Sequence, residues 1–382
     1  MKNLLLLFFV SALACSPKIE EEVTAPDQDY VVIGYVAGWK TLNPKKIPVD
    51  KLTHINYAFA DVKDGVVTHI GDRKEKDSLN FLQLRRLKEI NPELKLLVSI
   101  GGWTNSKGFS EAVSSPEGIK KLTQSGIEFL QKYHLDGLDF DWEYPGMPGD
   151  DNPHKPEDKE NFVAMLRSFR EALDSLGALD DTHYLSTIAS GGFRKYLEAN
   201  DMAEAQKYLD LINIMTYDFY TGSDEVTGHH ANLHGYGGKG ASAEKAVKEH
   251  VEFGVPAEKI VLGVPFYGRM WRQVGADQNG LDQPGAYAMG LPYHQVLALS
   301  KNSNYQRFWD EAAAAPYLYS AKDSTWITYE DEESLQGKMQ FVKDHKLAGA
   351  MFWELSEDNT RRLLKALNTA LRGEKESESP KP

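Results

Sequence analysis

The sequence predicts an α/β chain, a (β/α)8 barrel with a small α+β insertion after its seventh strand. Three observations carry that expectation. Eight short apolar runs recur between residues 30 and 353. Amphipathic helical stretches separate several of them, the alternation that builds a parallel sheet with helices outside it. The spacing breaks once, after the seventh run. An open doubly wound sheet is the competing architecture, but no glycine-rich phosphate fingerprint follows the first run.

Composition narrows the function classes. A length of 382 residues suits one barrel with insertions. Hydrophobic residues at 41% and charged residues at 26% are globular proportions. The formal net charge of −13 disfavours nucleic acid, whose phosphates demand a basic face.

Taken in order, the chain opens with Lys2, an apolar run over 4–10, and Ser11-Ala12-Leu13-Ala14-Cys15. A positive start, a short apolar core and a small-residue exit describe a secretory signal over 1–15, too short for a membrane span. Ala14-Cys15 is similar to a bacterial lipoprotein cleavage box, although Ala12 stands where that box prefers a larger aliphatic residue. The expectation is export with lipid anchoring at Cys15, on the cell surface or in the periplasm. A plain secreted protein is the alternative. Cys15 is the single cysteine, so no internal disulfide is possible. Residues 16–29 read as a polar tether and 373–382 as a disordered tail, leaving 30–372 for the barrel.

Expected strands span 30–35, 54–59, 94–100, 137–143, 184–188, 211–215, 260–265 and 348–353. Expected helices span 77–90, 116–133, 159–176 and 243–253, with Asn91-Pro92 and Gly254-Val255-Pro256 ending two of them. After Pro265 the next clear helix begins only near Glu332. The aromatic-rich stretch 270–326 between them is too long for a plain loop. It reads as an inserted α+β domain raising one wall of a groove, with a crossover bearing an extra helix as the alternative.

The fourth strand is the unusual one. Along it Asp139, Asp141 and Glu143 share one face, while Leu138, Phe140 and Trp142 share the other. Neighbouring acids then lie roughly 6–7 Å apart and repel. Barrel active sites collect at the C-terminal strand ends. The residues expected there are Tyr35, Trp39, Tyr57, Phe59, Gly101, Gly102, Trp103, the three acids, Tyr217, Asp218, Tyr267, Arg269, Trp353 and Glu354. Histidines at metal-ligand spacing and a Ser-His-Asp set are both missing from this group, and no cofactor is expected. His229-His230 reads as a solvated loop pair. Acids among aromatic platforms suit sugar, whose faces stack on rings while carboxylates work on the glycosidic oxygen. Glu143, last on its strand and pushed up by Asp141, is the expected general acid. Asp139 is expected to share a proton with Asp141.

Residues 136–145 resemble the signature of the glycoside hydrolase family 18 chitinases, Asp-Gly-x-Asp-x-Asp-Trp-Glu-Tyr-Pro. Ser99-Ile100-Gly101-Gly102-Trp103, Met215-Thr216-Tyr217-Asp218, Gly263-Val264-Pro265-Phe266-Tyr267-Gly268-Arg269 and Met351-Phe352-Trp353-Glu354-Leu355 are similar to its strand-three, -six, -seven and -eight motifs. The order is right, from about residue 30 to 372. The stretch 270–326 falls where that family carries its insertion domain. The resemblance implies retaining hydrolysis of chitin or chito-oligosaccharides, with the substrate's own 2-acetamido oxygen as nucleophile and an oxazolinium intermediate. It implies that Glu143 protonates the leaving oxygen, Asp141 holds the acetamide, Asp139 supports Asp141, and Tyr217 and Asp218 position the sugar. Trp353 would floor the cleavage subsite, with Tyr35, Phe59, Gly102, Trp103, Met215, Tyr267 and Arg269 as substrate contacts. Loop 219–223 lacks a tryptophan common in the family, which bears on the leaving-side subsites. Endo-β-N-acetylglucosaminidase action on N-glycans and non-catalytic chito-oligosaccharide binding are the alternatives. A monomer is expected.

Overall fold

The computed structural model describes residues 30–237 and 240–373. The expected signal, the Cys15 anchor, the tether and the tail beyond Gly373 lie outside the described residues. No helix among those described is long and apolar enough to cross a membrane.

In chain order the strands are β1 (Val31–Ala37), β2 (His54–Lys63), β3 (Val66–His69), β4 (Lys95–Gly101), β5 (Gly137–Asp141), β6 (Leu185–Gly191) and β7 (Leu211–Met215). They continue with β8 (Ile260–Pro265), β9 (Tyr267–Arg272), β10 (Ala286–Pro292), β11 (Gln306–Asp310), β12 (Ala315–Ser320), β13 (Thr325–Thr328) and β14 (Gly349–Trp353). Eight of them pair in parallel as β1-β2-β4-β5-β6-β7-β8-β14, and β14 returns to β1 to close the barrel. These eight are the expected strands, shifted by a few residues at their ends.

The alternation of β5 now has a physical reading. Leu138 and Phe140 face outward into the layer between sheet and helices, where the Phe140 and Phe169 rings lie 4.7 Å apart. Trp142 continues that side, stacked on Phe109 at 5.1 Å and edge-on to Phe162 at 6.0 Å. The helix Pro116–Tyr133 coincides with its expected span. Ser115 caps it by accepting from Gly118 N, Pro116 opens it, and His134 ends it in the left-handed region. The expected helix at 77–90 starts earlier, at Lys74, and closes with a short turn at Leu87–Glu89.

Two features depart from the expectation. The fourth strand ends at Asp141 rather than at 143. Beyond it the Glu143 N–H donates to the Ser106 hydroxyl at 3.0 Å instead of entering the ladder. The second departure is β3, an antiparallel hairpin partner of β2. Its turn is Asp64-Gly65, both at positive φ, the chemistry of a two-residue hairpin.

A second, antiparallel sheet follows barrel strand β8, in the order β10-β9-β13-β12-β11. It begins only one residue after β8, and the helix Tyr293–Ser300 belongs to the same stretch. Trp271 and Trp326 are fully buried in its own aromatic cluster with Tyr317 and Tyr319. The stretch is therefore a sheet with a helix, not an extended crossover.

Phe169 is fully buried behind β5. Phe169→Ala should destabilise the fold by about 3–5 kcal/mol. The check is a lowered denaturant midpoint in urea, with far-UV circular dichroism retained before the transition.

Candidate active site

The innermost acid is Asp139, with no solvent exposure. Strand register sets it level with Ser99 on β4 and Thr187 on β6. Oδ1 accepts from Thr187 Oγ1 at 2.6 Å and Asn213 Nδ2 at 3.2 Å. Oδ2 accepts from Ser99 Oγ at 2.7 Å and Tyr35 Oη at 2.9 Å. Burial pushes this carboxyl up, and the four donors oppose it without cancelling it. Burial and the nearby acid push the Tyr35 hydroxyl well up, so it stays a donor. Both Asp139 oxygens are occupied by these four donors, and its charge helps to raise the neighbouring Asp141.

Asp141 differs sharply. It is 5% exposed, and its Oδ1 has no hydrogen-bond partner. Burial first, then Glu143, then Asp139 hold its carboxyl well above the usual range. Glu143 is pushed up to about 7, chiefly by burial and further by Asp218, while the adjacent Tyr144 hydroxyl works against the rise. Asp218 adds a second acid beside the expected Asp141, whose carboxyl and that of Glu143 repel each other. The Glu143 backbone is fixed on both sides: its N–H donates to Ser106, and its carbonyl accepts from Asn152 Nδ2 at 2.8 Å.

Asp218 sits just past β7 at φ 60°. Its Oδ1 accepts from the Tyr267 hydroxyl at 2.7 Å and from Arg269 Nε at 2.8 Å, with Arg269 Nη2 at 2.6 Å. His230 Nδ1 lies 3.7 Å from the same oxygen. Burial tends to raise Asp218, but His230, Arg269 and Tyr267 outweigh it and leave the carboxyl below its ordinary value. His229 and His230 are both fully buried, contrary to the solvated pair expected. The second sheet covers them: His229 Nε2 meets Asp310 at 3.1 Å, and the His230 N–H donates to Thr328 Oγ1 at 3.2 Å. Burial lowers His230 to about 4, so the ring is neutral near pH 7.

Met215 and Tyr217 pack on an inner cluster with Tyr35, Phe59, Met351 and Trp353. Burial and the surrounding acids push the Tyr217 hydroxyl well up, keeping it protonated. Phe59 stacks on Trp353 at 5.5 Å, and Tyr35 leans on it at 5.6 Å. Trp39 stacks on Phe59 at 6.2 Å, so these rings form one wall of the mouth. Tyr57 is not part of it. A register shift between Ala58 and Ala60 inserts a bulge that turns Phe59 inward. Tyr57 keeps the outward direction and donates to Asp77 at 2.6 Å. Gly101 and Gly102 have φ of 109° and 89°; a Cβ at Gly101 would meet the Asp141 carbonyl at 2.3 Å. That close approach needs glycine. Trp103 is half exposed and edge-on to Tyr144 at 6.3 Å.

The structure thus gathers the expected acids, Tyr217, Asp218, Tyr267, Arg269 and the ring wall at one end of the barrel. Thr187, Asn213, Ser106, Asn152 and Tyr144 were missed. Thr187 and Asn213 were within reach of inference, since inward polar residues on strands beside a buried acid are its natural donors. Ser106 and Asn152 carry no signal, because loop geometry alone brings them to Glu143.

A family profile described as Glycosyl hydrolases family 18 matches residues 31–358. Chitinase A1 of Niallia circulans is 34% identical over 436 aligned residues, which cover 97% of this chain and 62% of that protein. This chain therefore spans under two thirds of that relative. Chitinase B of Serratia marcescens is 31% identical, over 81% of this chain and 74% of its own. Among solved structures, a glycoside hydrolase family 18 N-acetylglucosaminidase from Paenibacillus barengoltzii superposes with a TM-score of 0.82 at 41% identity. It covers 90% of this chain and 100% of that one.

Arg269→Met removes the charged donors from Asp218 Oδ1. The Asp218 carboxyl should then titrate at higher pH than in the unaltered protein. Carbon-13 NMR of labelled aspartate side chains reads the shift, and an unmoved titration would show that Arg269 is not its controlling cation.

Proposed function

The chain belongs to the glycosyl hydrolases of family 18, and from that premise we propose that it hydrolyses β-1,4 bonds of chitin or chito-oligosaccharides with retention. The observation that carries the reading is Asp141. It is a buried carboxyl whose Oδ1 has no donor in the protein, placed between a donor-saturated Asp139 and a raised Glu143. A substrate acetamide N–H is the donor such a group lacks. Asp141 would hold the acetamide so that its carbonyl oxygen attacks the anomeric carbon. Glu143, protonated up to neutral pH, gives its proton to the leaving oxygen and takes one back from water. Tyr217 and Asp218 orient the acetamido group and the sugar. Trp353, Phe59 and Tyr35 supply the stacking floor, with Gly102, Trp103, Met215, Tyr267 and Arg269 lining the groove. The sheet β9–β13 is read as the family's insertion domain, forming the wall that brings Tyr267 and Arg269 to Asp218.

Release of single N-acetylglucosamine units from chain ends is a second reading, supported by the 41% identity to the Paenibacillus structure. Products from defined chito-oligosaccharides separate the two, since monosaccharide alone supports end-by-end release. We also infer export and a lipid anchor at Cys15 from the pattern over 1–15. Cys15→Ala should move the protein from the membrane to the soluble fraction.

Glu143→Gln should lower kcat on chito-oligosaccharides by at least about 100-fold. Fully deacetylated chitosan should be inert with either protein. In the unaltered enzyme the protonated Glu143 is the active form, so kcat holds below about pH 7 and falls about tenfold per unit above it. Equal turnover by the two proteins, or a flat profile through pH 9, sinks the assignment.

A further inference from the structure

One charged cluster joins two loops of the barrel mouth without touching the acids. Lys40 follows β1. Its ammonium donates to Glu354 Oε1 at 2.7 Å, Glu357 Oε1 at 2.7 Å and Ser356 Oγ at 2.9 Å. An ammonium has three protons, so this head group is fully used. Glu354 is 2% exposed, and its Oε2 accepts from Ser356 N at 2.9 Å, capping the short turn Leu355–Glu357. A carboxylate that deep needs its cation.

Each end of the cluster adjoins a ring. Trp39 precedes Lys40 and Trp353 precedes Glu354, and their centroids are 6.1 Å apart. Lys76 Nζ donates to the Trp39 carbonyl at 2.7 Å, so this backbone is clamped from two sides. Trp39 is 45% exposed, and its ring rests against Phe59 and Trp353. An indole so open has rotamer freedom that a ligand would otherwise have to freeze.

We propose that the Lys40–Glu354–Glu357 latch is a positioning device that preorganises the Trp39 ring against Trp353 for an N-acetylated sugar chain, setting affinity more than the rate of bond cleavage. It rests on the reading of chito-oligosaccharide as substrate. Lys40 is a positioning residue, acting through the rings.

Lys40→Met keeps the stem and removes the charge. On chitohexaose its KM should rise about 3- to 10-fold with kcat within about twofold, and Lys40→Arg should recover most of the loss. In a Trp39→Ala background, Lys40→Met should add nothing further. Calorimetric binding of chitohexaose to Glu143→Gln, with and without Lys40→Met, repeats the comparison without turnover. An unchanged KM in Lys40→Met, a fall in kcat alone, or an undiminished effect beside Trp39→Ala overturns the latch. Should the unaltered protein neither cleave nor bind chitohexaose, the functional reading fails separately. Acrylamide quenching then tests the latch: Lys40→Met should raise the quenchable tryptophan fraction, and no rise overturns it.

Discussion

A carboxylate on the barrel axis with no access to water is the constraint from which the rest of this structure follows. Asp139 is tolerable there only because four strands each send a donor to it: Tyr35 from β1, Ser99 from β4, Thr187 from β6 and Asn213 from β7. Those donors meet one carboxylate only in one register. A slip of β5 by one residue would turn Asp139 into the helix layer and bring Leu138 or Phe140 inward. Folding and chemistry are therefore set by the same alignment.

Satisfaction by the protein declines along this face toward the mouth. Asp139 has four donors. Asp141 has an oxygen with none. Glu143 is held through its backbone, by Ser106 and Asn152. The groups left incomplete are the outer ones, so on the proposed reading the deeper acid supplies order and the outer two keep capacity for a ligand and a proton.

Much of this was legible because period-two patterning and helix-end chemistry are local. The eight barrel strands, the helix opened by Ser115-Pro116 and the three acids on one face all followed from short stretches. The Asp64-Gly65 hairpin rests on equally local turn chemistry. Other features were not local. Parity places Tyr57 and Phe59 on the same face, and only the bulge between Ala58 and Ala60 separates them. His229 and His230 look like solvated loop residues until a sheet some forty residues later covers them. The push on Glu143 from Asp218 joins strands that no spacing rule connects.

Asp218 draws its cation from Arg269 and its hydroxyl donor from Tyr267, and both stand on β9, the first strand of the second sheet. Only Phe266 separates that strand from β8. The added sheet is thus not a detachable module. A recombination that cuts at the end of β8 therefore exchanges the cation and the hydroxyl donor of Asp218 together with the sheet.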